Sequence, residues 1–188
     1  MDLGIQLNRI QDTRMMHAAM MKMAILIQNY NQEKMAFIII LKGGIFVAQS
    51  IIEMYNDEKF DLTVGYLGLS SYKDEIIPNK KVKVSNSLDL SKEYIEGRHV
   101  WIIDDTVQSG STLQKAREYL EVFNPESIQT AVLVDKVKYR SEIKYPLPEV
   151  VGYTYEGDKF LVGCGLDYKE RFRQLSCLYE LEIKNGRG

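Results

Sequence analysis

The chain has 188 residues, 45% hydrophobic and 27% charged, a balance that fills one domain of ordinary size with a core and excludes disorder or fibrous repeats as its main content. Twenty-four Lys and Arg against 26 Asp and Glu leave a formal charge of −2, so no whole-chain positive field drives binding to nucleic acid. Cys164 and Cys177 are too few for a disulfide framework and lack metal-site spacing, and Met1 to Arg9 carries no apolar leader, so a soluble, cytoplasmic protein without a membrane span is expected.

In chain order, Asp12 or Thr13 caps a helix on which Met16, Met20, Met23 and Ile27 form one apolar face. His17 lies on this helix with no second ligand a turn away and reads as an ordinary helix residue. Phe37 to Leu41 is a short run rich in β-branched side chains, a strand that stops at Lys42-Gly43-Gly44 and yields to a helix over Ile45 to Tyr55. The alternation then repeats: strand Phe60 to Leu69, polar stretch Ser70 to Lys92, strand Val100 to Ile103, helix Ser111 to Phe123, strand Ile128 to Val134. The last helix packs Leu113, Ala116, Leu120 and Phe123 on one side and ends at Asn124-Pro125, where proline cannot continue it. Such units build an α/β fold with a parallel sheet and helices on both faces. Val150 to Tyr155 and Leu178 to Ile183 read as edge strands with loops between them. No linker, repeat or low-complexity tract divides the chain, so a single domain over 1–188 is expected, its core about 10–183, with a small lobe from the two ends.

The chemistry concentrates in Val100-Trp101-Ile102-Ile103-Asp104-Asp105-Thr106-Val107-Gln108-Ser109-Gly110-Ser111-Thr112-Leu113. An apolar strand delivers two carboxylates to its C-terminal end, and a hydroxyl-rich turn opens directly into a helix. Ligands of open α/β sheets bind at that edge, and free N–H groups at a helix start, with the hydroxyls of Ser109, Ser111 and Thr112, suit a phosphate monoester. Two acids beside such a nest suit sugar hydroxyls or a hard cation such as Mg2+. The segment is no Walker loop, since the G-x-x-x-x-G-K-[ST] pattern is absent.

This segment resembles the phosphoribosyl pyrophosphate (PRPP) signature of the type I phosphoribosyltransferases. Leu41-Lys42-Gly43-Gly44, Leu69-Ser70-Ser71-Tyr72, Val134-Asp135-Lys136 and Lys159-Phe160-Leu161-Val162-Gly163, continuing through Leu166-Asp167-Tyr168 to Arg173, are similar to the hypoxanthine-guanine branch of that family, in order and spacing over most of the chain. The resemblance implies the family's parallel-sheet fold, a small hood lobe and a mobile loop over about 70–86 that closes on the site. It implies that Asp104 and Asp105 hold the ribose hydroxyls of PRPP, and that Thr106 and the loop Gln108, Ser109, Gly110, Ser111 and Thr112 hold its 5′-phosphate. Lys42 and Gly43 would meet the pyrophosphate in a turn that in the family often has a non-proline cis peptide, and Ser71 and Tyr72 would bind PRPP from the closing loop.

For the base, the resemblance implies that Lys136 donates to the 6-oxo group of a purine, that Phe160 stacks on its face, and that the backbone of Leu161 reads its edge. Asp167 would bind Mg2+, with Asp104 and Asp105 as further carboxylates for metal, and Arg173 would grip the pyrophosphate. Read without the resemblance, Gly43-Gly44 is also an ordinary turn, Lys136 a solvated strand-end lysine, Phe160 a core residue, and Asp167 and Arg173 a surface ion pair. Gln108 departs from the family pattern, which has an aspartate there, credited with the purine N7 proton. An amide cannot take a proton at neutral pH, and general-base assistance is typically worth about 10²–10⁴-fold.

The expected activity is Mg2+-dependent transfer of 5-phosphoribose from PRPP to hypoxanthine or guanine, giving IMP or GMP and pyrophosphate, by a homodimer or homotetramer that binds neither nucleic acid nor membrane. The alternatives are a PRPP- or nucleotide-binding regulator with little turnover, and a transferase for another base.

Overall fold

The computed structural model describes residues 4–30, 32–69, 87–138 and 145–184. Its larger sheet runs in the order β4(Ser87–Leu88), β3(Asp61–Gly68), β2(Lys34–Leu41), β5(His99–Val107), β6(Ser127–Lys136), β7(Val150–Tyr155). Five strands are parallel and only β4 runs antiparallel, against β3.

The strands are nearly unbroken apolar runs because both faces are covered. Met35, Phe37 and Ile39 of β2, with Trp101 and Ile103 of β5, pack beneath α1(Thr13–Gln28) and α2(Gly44–Ile52). Ala36, Ile38 and Ile40, with Val100 and Ile102, join Leu113, Ala116 and Leu120 of α3(Ser111–Glu121) on the other side. Each large side chain so buried contributes about 1.5–3 kcal/mol. Asp12 caps α1 by accepting from the Met15 N–H at 2.9 Å, and Met16, Met20, Met23 and Ile27 are buried as their spacing predicts. His17 is exposed.

A second sheet, ordered β1-β9-β8, forms the lobe: β1(Ile5–Gln11), β8(Phe160–Val162) and β9(Leu178–Ile183), all antiparallel. Here the sequence reading is corrected. Leu178–Ile183 is the central strand of this sheet rather than an edge, flanked by β1, which the reading missed, and by the short β8. The register of β1 shifts between Arg9 and Gln11, which breaks the alternation that would have marked it as a strand. Tyr155 at the end of β7 donates to Glu180 at 2.6 Å and so ties the lobe to the main sheet.

Several boundaries also move. β5 continues to Val107 and β6 to Lys136, carrying polar residues within paired strand, because neighbouring strands supply ladder partners to residues whose side chains give no strand signal. α2 ends at Ile52 and α3 at Glu121, short of Tyr55 and Phe123. The polar stretch closes with a 3-10 turn at Lys92–Tyr94. The expected closing loop over 70–86, with Ser71 and Tyr72, lies outside the described residues. No helix among those described is long and apolar enough to cross a membrane.

Candidate active site

The order of the parallel strands reverses between β2 and β5: the chain passes from β2 outward to β3, then returns to β5 on the other flank. Such a switch point opens a crevice beyond the strand ends. The last β2–β5 pair is Ile39 with Ile103, and beyond it the two chains carry Lys42-Gly43 and Asp104-Asp105. The Leu41–Lys42 peptide is cis. A Cβ on Gly43 would run into the Asp105 carboxylate, so only glycine lets this turn lie against the acid.

Asp104 is 6% exposed, and its Oδ1 accepts from the Asp105 backbone N–H at 2.8 Å. Burial, then the neighbouring charge of Asp105, pushes its carboxyl well above the ordinary range. Burial raises Asp105 as well, against the lowering pull of Arg173. The Thr106 hydroxyl is buried with no hydrogen-bond partner among the described residues. Gly110 precedes α3 in the left-handed region, at φ 79°, and turns the chain into the helix. The Ser109 hydroxyl donates to Ser111 Oγ at 3.1 Å, clustering hydroxyls at the start of α3.

A cleft of about 260 Å³ gathers Asp105, Thr106, Gln108, Lys136, Phe160, Leu161, Leu166 and Asp167 from β5, the turn after it, β6, β8 and the loop after β8. Lys136 is 8% exposed and donates to the Lys159 carbonyl at 3.1 Å, so it is not the solvated strand-end lysine that its position alone suggests. Burial lowers its pKa, partly offset by Asp158. Phe160 is 50% exposed, which corrects the reading of it as core, and Tyr168 meets its edge at 5.6 Å between ring centres. Because β8 ends the lobe sheet, one side of the Leu161 strand has no strand partner among the described residues.

Arg173 bonds Asp167 at 2.7 Å through Nη2 and the Gly165 carbonyl at 2.8 Å through Nη1. Its Nε is buried without a hydrogen-bond partner among the described residues. Asp167 and Arg173 therefore do pair, though largely buried rather than on the surface, and Asp167 lines the cleft. Glu170, which the sequence reading did not single out, bridges Lys42 at 3.1 Å and Arg173 at 3.4 Å. Its only signal was its place between Asp167 and Arg173. Leu166 and Tyr168 were likewise recognised only as parts of that segment.

The family model described as "Phosphoribosyl transferase domain" matches residues 6–169. The chain therefore belongs to the phosphoribosyltransferase family. Its relatives place it in the hypoxanthine-guanine group: a hypoxanthine phosphoribosyltransferase of Haemophilus influenzae is 30% identical over 172 residues, 89% of this chain and 91% of the relative. A hypoxanthine-guanine phosphoribosyltransferase of Dictyostelium discoideum is 32% identical over 162 residues, 82% of this chain and 83% of the relative. Among solved structures, a hypoxanthine-guanine phosphoribosyltransferase of Bacillus anthracis superposes with a TM-score of 0.78 at 25% identity, covering 95% of this chain and 99% of the other.

Proposed function

We propose that this protein moves 5-phosphoribose from PRPP to hypoxanthine or guanine, giving IMP or GMP and pyrophosphate, for purine salvage. The observation that carries this reading is one cleft that brings Asp105, Thr106 and Gln108, at the strand end that leads into the helix-start hydroxyls, together with Asp167, a buried lysine and an exposed aromatic.

Asp104 and Asp105 orient the ribose by accepting from its hydroxyls, and the turn from Ser109 to Thr112 receives the 5′-phosphate on N–H and hydroxyl donors. Lys136 donates to a 6-oxo group, and a 6-amino group in its place would set donor against donor. Phe160 stacks on the base, and the open side of β8 at Leu161 reads the base edge. As the bond to the ribose breaks, positive charge gathers at the anomeric carbon and negative charge on the departing pyrophosphate. The acid pair faces the first, Lys42 and Arg173 the second, so stabilisation is electrostatic and needs no nucleophile.

Asp105 and Asp167 line one cleft and offer only oxygen, the donor set of a hard cation that takes one or two carboxylates and completes its shell with substrate oxygens and water. Asp105 and Asp167, with Asp104 next to Asp105 in sequence, would hold Mg2+, which would supply neutralising charge to the pyrophosphate. Gln108 lines the same cleft and accepts from purine N7–H through its side-chain carbonyl, without taking the proton.

Formation of IMP, GMP, XMP and AMP from PRPP and each base, with Mg2+ and alongside Gln108→Asp, tests the assignment. Wild type should make IMP or GMP, and Gln108→Asp should raise the rate by no more than the roughly 10²–10⁴-fold that a general base supplies. Turnover by Gln108→Asp alone would favour the second reading, a nucleotide-binding regulator, which the amide at this position motivates. A cytoplasmic homodimer or homotetramer is part of the proposal, and light scattering on the purified protein checks the assembly.

A further inference from the structure

The carboxylate of Glu170 stands where two cations converge. One of its oxygens, Oε2, lies 3.1 Å from Lys42 Nζ and 3.4 Å from Arg173 Nη2. The two cations come from distant parts of the chain, Lys42 from the turn after β2 and Arg173 from the loop that follows β8. A single oxygen shared by an ammonium and a guanidinium fork is also how a phosphoryl oxygen would be held. Glu170 is oriented by its backbone: its N–H donates to Asp167 Oδ2 at 2.8 Å, and its φ of 61° puts it in the left-handed region. Its side chain and that of Lys42 are each 65% exposed, so the contact is solvated and readily exchanged.

We propose that Glu170 occupies the diphosphate position as a built-in competitor, setting how tightly PRPP and pyrophosphate are held. This rests on the reading that Lys42 and Arg173 receive the diphosphate. A phosphate oxygen and the Glu170 carboxylate cannot occupy the same two cations, and their like charges repel, so diphosphate binding breaks both contacts. On release the carboxylate returns and keeps Lys42 turned toward Arg173. Lys42 holds the Glu170 carboxyl below its ordinary pKa, so the competitor remains charged at neutral pH.

The test is calorimetric titration of the full-length protein with inorganic pyrophosphate and Mg2+, together with KM for PRPP, for wild type, Glu170→Gln, Glu170→Asn and Lys42→Met. Asn removes the charge while suiting a left-handed backbone, which guards against a local folding defect in the Gln variant. Both Glu170 variants should bind pyrophosphate about 2–5-fold more tightly, the scale of an exposed ion pair, with KM for PRPP falling in step. Unchanged or weaker binding in both overturns the proposal. Lys42→Met should weaken pyrophosphate binding; if it binds like wild type, the underlying assignment of Lys42 falls, a result separate from failure of the Glu170 variants.

Discussion

The phosphoribosyl half of the proposed site comes from one continuous stretch, Asp104 to Thr112, whereas its proposed purine half is assembled from Lys136 on β6 and Phe160 and Leu161 on β8. The first is anchored in the main sheet: its acids stand at the end of β5, where Asp104 still pairs with Val132 of β6, and its hydroxyls open a helix packed on the sheet. The second depends on a small three-stranded lobe docking against the main sheet through contacts such as Tyr155 to Glu180 and Lys136 to Lys159. The half proposed to handle charge thus sits between a main-sheet strand and a helix packed on the sheet. The half proposed to choose the base sits where a few side chains set the geometry.

This contrast can be broken first at the acids. Asp104→Asn or Asp105→Asn should lower kcat/KM by about 10²–10³-fold, the cost of removing one preorganised electrostatic group. The same variants should be more stable than wild type at neutral pH. Each carboxyl titrates higher when folded than when unfolded, so the stability it contributes is fully present below its unfolded pKa and is lost as pH rises through the raised folded value. Removing the charge recovers that loss, about 0.5–2 kcal/mol by analogy with other strained functional sites, and thermal melts should show the gain shrinking as pH falls. An acid variant that loses activity and also melts earlier at neutral pH would make the pair a structural element.

The purine half should respond more mildly and more selectively. Lys136→Met should lower kcat/KM for hypoxanthine by about 10–10²-fold, since a hydrogen bond from a charged donor is worth about 1.5–3 kcal/mol, and should narrow the preference over adenine. Because burial lowers the Lys136 pKa, wild-type kcat/KM should fall on the alkaline side before an ordinary lysine would titrate, and Lys136→Met should lack that limb. Phe160→Leu is the smallest effect. It keeps an apolar surface but loses the aromatic share, about 0.5–1.5 kcal/mol, so KM for the base should rise roughly 2–10-fold with little change in KM for PRPP. Equal changes in both KM values would show that the two halves are not separable.

The parallel sheet, its covering helices and the acid- and hydroxyl-bearing segment between β5 and α3 were legible in the sequence because their signals are local. Apolar runs of strand length, the Met16–Ile27 face of α1, and acids and hydroxyls placed between a strand and a helix all report on neighbours within a dozen residues. The lobe was harder to read. β1 carries a register shift, β8 is three residues long, and the central place of β9 follows from pairing between the two ends of the chain.

By itself the sequence determined that this is an α/β domain with a hydroxyl-rich strand-to-helix turn and a match to one transferase family. Only the tertiary structure decided that Lys136 is buried, that Phe160 is half in solvent, and that Glu170 joins Lys42 to Arg173. Exposure and ion pairing depend on which distant strand ends meet at the switch point, and no local periodicity encodes that meeting.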